Sequence, residues 1–126
     1  RLLLDTHAFL WFITNDSQLS AAARVLIADP SNEILLASEL MGDRHQSQAR
    51  QVSAIRALLD PHHAGVDSNG FKVLPIEPRH TEMLTTLPLH HGDPFDRLMV
   101  SQAMVEEISL VSIDPQLDAY SIKRIW

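Results

Sequence analysis

Leu2-Leu3-Leu4 is an apolar run that stops at Asp5, and Thr6-His7-Ala8-Phe9-Leu10-Trp11-Phe12-Ile13 follows with apolar residues spaced as on a helix rather than alternating. The reading is strand, acidic turn, helix. Working outward, Ser20 stands as a hydroxyl cap before Ala21 to Ala28, a helix that must stop before Pro30, and Asn32 to Ala37 reads as a second short buried strand. Phe71 to Ile76 reads as a strand, and Pro78 to Leu87 as a helix with proline in its first turn. Asp93-Pro94-Phe95-Asp96 is a helix start, with Asp93 as the N-cap and Pro94 at the first position, leading into a helix that runs through Val105. Ile108 to Ile113 is a further strand ending at Asp114, and Ile122 to Trp126 offers a short edge strand. Strands alternating with helices predict the α/β class, with a parallel sheet covered by helices.

Composition narrows the chemistry. The 126 residues, 45% apolar and 21% charged, suit one domain over residues 1–126, and the lack of cysteine removes disulfide scaffolds, zinc-thiolate sites, iron–sulfur clusters and cysteine nucleophiles. Sixteen acidic residues against ten Lys and Arg give a formal charge of −6, which disfavours a protein that binds polyanions by neutralising phosphates. Nucleic acid stays in play if the acids converge on divalent cations, because the cation reverses the local field. No apolar run approaches the roughly 20 residues of a membrane helix, and the N-terminus lacks the features of a signal peptide. The expected location is cytoplasmic.

In open α/β sheets, ligands bind beyond the carboxyl ends of the strands, and Asp5, Asp96 and Asp114 stand where that rule looks. Asp5 and Asp114 each end a strand. Asp96 lies in the first turn of a helix, where its dipole favours a carboxylate. Oxygen ligands of this kind suit Mg²⁺ or Mn²⁺. Each acid also has a plain reading as a cap or turn former, and Asp93 fits that reading best. The pairs His62-His63 and His90-His91 read as surface or loop residues, because adjacent side chains diverge too far to chelate. His7 reads as a packing or capping residue near the acids rather than a general base. Phe9, Trp11 and Phe12 read as core, and Arg24, Arg97 and Arg124 as salt-bridge partners more than an RNA groove. Phosphate loops, dinucleotide fingerprints and nucleophile elbows are missing from the sequence.

Three stretches together carry a resemblance: Leu3-Leu4-Asp5-Thr6-His7-Ala8-Phe9-Leu10-Trp11, Leu87 to Ala103 around His91-Gly92-Asp93-Pro94-Phe95-Asp96-Arg97, and Leu110-Val111-Ser112-Ile113-Asp114, with Arg124-Ile125-Trp126 at the end. They resemble PIN-domain proteins, and more narrowly VapC-type toxins of type II toxin–antitoxin systems. The resemblance implies a PIN-like three-layer fold with a central, mainly parallel sheet flanked by helices. It also implies a metal-dependent ribonuclease, often dimeric, that acts on RNA and is neutralised by a small antitoxin protein. Carried over by position, Asp5, Asp96 and Asp114 match the family's metal-binding acids, and Thr6 and Ser112 match hydroxyls that orient them.

The chain departs from that pattern at the second acid. Where the family has Ser-Leu-Trp-Glu-Ile-Ala-Ile-Lys, this chain has Glu39-Leu40-Met41-Gly42-Asp43-Arg44-His45-Gln46. Ungapped alignment puts Asp43 at the position of the catalytic Glu, with Glu39 one helical turn earlier as the substitute. Met41 is encoded only by ATG and Gly42 begins with G, so a frame displaced by one nucleotide reads TGG, the codon of the missing Trp. Permitted codons let that frame run Ser-Trp-Glu-Ile-Ala-Ile-Lys and then admit a Leu-Gly-Lys-Leu turn. The segment from about Leu40 to Asn69 therefore reads as atypical, translated out of the ancestral frame and restored just before Gly70. Two competing readings follow. One is a catalytically impaired or inactive protein that keeps only antitoxin or dimer binding; the other is an aspartyl-phosphate enzyme or receiver, disfavoured because Asp5-Thr6-His7 lacks a second acid.

Overall fold

A computed structural model describes residues 1–37 and 70–126. Among them the elements run β1 (Leu2–Leu4), α1 (Thr6–Ile13), α2 (Ala21–Ala28), β2 (Ile34–Ala37), β3 (Phe71–Leu74), α3 (Pro78–Thr86), α4 (Pro94–Glu106), β4 (Ser109–Val111), a 3₁₀ helix (Pro115–Ala119) and β5 (Arg124–Ile125). The described strands form one sheet in the order β3-β2-β1-β4-β5, and every neighbouring pair is parallel. This is the α/β architecture expected from the alternation of strands and helices. The atypical segment, with Asp43 and Glu39, lies outside the described residues.

β1 is the middle strand. Leu3 pairs with Leu35 on one side and Leu110 on the other, and Leu3, Leu4, Leu36, Leu110 and Val111 are completely buried. Burial on both faces explains why these strands read as unbroken apolar runs. Each such leucine stabilises the fold by about 1.5–3 kcal/mol relative to exposure. Lys72, exposed on β3, places a charge on an outermost strand among those described, where it discourages pairing with another chain. Phe9 is buried, and the ring of Phe71 meets Phe9 and Phe12 edge-on at 5.3 and 5.9 Å. Those aromatics belong to the core, as their spacing predicts.

The caps follow the sequence closely. Ser20 accepts the amide of Ala23 at the start of α2, and Asp93 accepts those of Phe95 and Asp96 at the start of α4. At α3 a capping box joins Glu77 and His80, and the completely buried His80 ring reaches Glu106 at the end of α4 with 2.9 Å between Nε2 and Oε1. Arg79 also donates to Glu106. This knot fastens α3 to α4. No helix among the described residues is long and apolar enough to cross a membrane.

Strand order decides where a ligand can sit. From β1 the chain builds β2 and then β3 to one side, and later lays β4 against the other side of β1. The carboxyl ends of β1 and β4 therefore flank the point where the winding reverses, the place where open α/β sheets open a crevice. Leu4 pairs with Val111, so Asp5 and Ser112 leave the sheet side by side, and the Asp5 amide donates to the Val111 carbonyl at 3.1 Å.

Candidate metal centre

Asp5 is the N-cap of α1, its Oδ1 accepting the Ala8 amide at 2.8 Å. Burial pushes its carboxyl above the ordinary carboxylate value. Hydrogen bonds from the Ser112 hydroxyl and the Ala8 amide, and the nearby His7, pull the other way, while the charge of Asp114 adds to the upward push. Asp5 and Asp114 thus feel each other. Ser112, completely buried, connects them: its hydroxyl donates to Asp5 and its Oγ accepts the Asp114 amide at 3.2 Å. Thr6, the other hydroxyl, is half-buried at the first position of α1.

Asp114 caps the 3₁₀ helix in the same manner, with Oδ1 accepting the Gln116 amide at 2.9 Å. Its second oxygen, Oδ2, lies 2.8 Å from His91 Nε2. Asp96, carried on the first turn of α4, brings its Oδ2 to 3.5 Å from the same nitrogen. Capping and site roles are therefore compatible in Asp114, because one carboxylate oxygen holds the helix while the other faces the crevice. One ligand atom each from His91, Asp96 and Asp114 lies within 4.8 Å of the others.

The donor set fits a hard divalent cation. Carboxylate oxygens converge at one end of the sheet, and Asp5 sits buried with its charge disfavoured, a cost that a nearby dication relieves. Asp43 and Glu39, the candidates for a further acid, fall outside the described residues.

The three arginines make scaffold contacts. Arg124 grips Asp118 with two nitrogens at 2.7 and 2.9 Å and donates to the Ser112 carbonyl at 3.0 Å, which ties β5 to the loop that carries Asp114. Arg97 donates to the Leu87 carbonyl, and Arg24 to the Asn15 side chain and the Asp16 carbonyl. His91 is the residue that sequence reasoning missed. It does lie in a loop, but its side chain is only 12% exposed and it faces both Asp96 and Asp114. The sequence around His91 carried no local signal for this, because the loop is held by Tyr120, whose phenol oxygen accepts the His91 amide from 29 residues away.

The family model described as PIN domain matches residues 2–123 of the chain. No curated protein matches it.

Proposed function

Because the chain belongs to the PIN domain family, whose members are typically metal-dependent nucleases, we propose that it is a Mg²⁺- or Mn²⁺-dependent endoribonuclease toxin, neutralised by a small antitoxin protein. The observation that carries the nuclease reading is the meeting of Asp96 Oδ2 and Asp114 Oδ2 at His91, beside Asp5. In this reading Asp5, Asp96 and Asp114 hold the cation, with Asp43, or Glu39 in its place, as a further acid. When bound, a divalent cation supplies the positive charge that attracts an RNA phosphate and stabilises the oxyanions of phosphodiester hydrolysis.

The chain's own residues supply position and charge. Asp5 and Asp114 are held by helix caps at one oxygen, so their direction is set before any ligand arrives. Ser112 links the Asp5 carboxyl to the Asp114 backbone, and α4 presents Asp96 from a capped first turn, with Thr6 beside Asp5 as the second supporting hydroxyl. The toxin role, the antitoxin, a homodimer and a cytoplasmic location belong to this proposal through the motif resemblance at both ends of the chain.

The test is cleavage of structured RNA by the purified chain. The parent cleaves with Mg²⁺ or Mn²⁺ and stops with EDTA, while Asp96→Asn and Asp114→Asn lose activity by at least about a hundredfold, or 2.7 kcal/mol in the barrier. Equal cleavage by these variants refutes the assignment. Metal binding without cleavage by the parent, together with capture of the small antitoxin protein, selects the inactive binding protein instead.

A further inference from the structure

The His91 ring has its two nitrogens committed in opposite senses. Nδ1 accepts the backbone amide of Asp93 at 3.1 Å. An amide N–H can only donate, so Nδ1 carries the lone pair, and the proton of the neutral imidazole sits on Nε2. That nitrogen is hydrogen-bonded to Asp114 Oδ2 at 2.8 Å, and Asp96 Oδ2 lies 3.5 Å from it. The ring is also anchored through its backbone. The Tyr120 phenol oxygen accepts the amides of His90 at 3.1 Å and His91 at 2.9 Å, and the His90 ring lies 5.2 Å from the Tyr120 ring at 65°. Tyr120 is itself buried at the end of the 3₁₀ helix that Asp114 begins.

We infer that His91 is a positioning residue of the carboxylate site, a fixed Nε2–H donor that holds Asp114 and Asp96 at ligand spacing and does not itself bind the cation. The inference rests on the reading of those acids as metal ligands. Two carboxylates placed this close repel each other, and one N–H shared between them offsets that repulsion while the site is empty of cation. Ligation through Nε2 requires the proton to move to Nδ1, where it meets the Asp93 amide head-on and breaks the turn that starts α4. Hydrogen-bonded partners of metal-binding carboxylates act in this way, and their loss typically lowers metal affinity about 10–100-fold.

The direct test is long-range proton–nitrogen NMR of the ring nitrogens in the intact chain, with Mg²⁺ alone as the probe. The metal-free protein shows His91 protonated at Nε2 and unprotonated at Nδ1, and saturating Mg²⁺ leaves that pattern in place. A proton on Nδ1 with a metal-shifted Nε2 overturns the inference and makes His91 a ligand. Calorimetry adds a second readout: His91→Ala weakens Mg²⁺ binding about 10–100-fold. His91→Gln, which retains an N–H at the same reach, recovers most of the loss. Equal weakening in both variants, at unchanged Tm, overturns the positioning role. Absence of Mg²⁺ binding by the parent instead fails the carboxylate reading itself, so the two failures are distinguishable.

Discussion

Replacing Asp5 separates a structural carboxylate from a metal-binding one by the sign of the stability change. Its Oδ1 caps α1 through the Ala8 amide, and burial raises its pKa. Asparagine caps a helix about as well as aspartate, so Asp5→Asn keeps the cap and removes a charge that the fold disfavours. In EDTA at pH 7.5, Asp5→Asn therefore melts at the parent's temperature or above it. Asp5→Ala loses the cap as well and falls below Asp5→Asn by about 0.5–2 kcal/mol. For domains near this size that difference is roughly 2–8 °C in Tm. Added Mg²⁺ reverses the order: at a hundredfold excess over its Kd the cation stabilises the parent by about 2.7 kcal/mol, and Asp5→Asn gains much less. The assay is a thermal melt in EDTA and in a Mg²⁺ series. An Asp5→Asn protein that melts below the parent in EDTA, or gains equally from Mg²⁺, refutes the reasoning.

The pH dependence carries its own sign. A raised carboxyl pKa means that the folded protein binds the proton more tightly, so Asp5 contributes stability below the unfolded value of about 3.8 and loses it as pH rises through its folded pKa. Glu106 runs the other way: the hydrogen bond from His80 and the charges of Arg79 and Arg1 hold its pKa below 4.5, so its contribution is present above that value and is lost as pH falls through the lowered one. Acid melts of Glu106→Gln beside the parent check this, the variant showing the shallower loss below pH 4.5. His80→Ala opens a buried gap and strips the partner from the Glu77 amide, costing about 2–4 kcal/mol by chemical denaturation, with metal affinity little changed. Asp93→Ala removes the side-chain cap of α4 but keeps the backbone amide that His91 Nδ1 accepts, so it costs about 0.5–2 kcal/mol by chemical denaturation while Mg²⁺ affinity by calorimetry changes little. For the segment from about Leu40 to Asn69, sequencing the coding DNA checks the displaced frame: it encodes Trp-Glu across Met41-Gly42-Asp43, and a relative that encodes Met-Gly-Asp in an intact frame contradicts it.

The strands and caps were readable because their signals are local. Leu2-Leu3-Leu4 announces a strand buried on both faces, and Asp93-Pro94 announces a helix start without reference to the rest of the chain. Strand order was not readable in that way. Placing β4 against β1 depends on contacts between Leu4 and Val111, more than a hundred residues apart, which no periodicity encodes. Asp5 and Asp114 could be expected to be neighbours because residues that leave parallel strands at their carboxyl ends gather at one edge of the sheet, whatever the strand order. A cap and a ligand role do not exclude each other in Asp114, because Oδ1 accepts the Gln116 amide while Oδ2 turns to His91. The adjacent side chains of His90 and His91 do diverge: His90 turns to the Tyr120 ring and His91 to the acids. Divergence told only that the pair does not chelate together, and the destination of each ring depended on Tyr120, 29 residues from His91.

Calorimetric titration of Mn²⁺ into the intact chain tests the central claim most directly, since it asks whether these side chains form a cation site without presuming a substrate. Saturable binding that collapses in both Asp96→Asn and Asp114→Asn, each still folded by circular dichroism, is the predicted result. Heats that never saturate, or an affinity indifferent to both substitutions, contradict it.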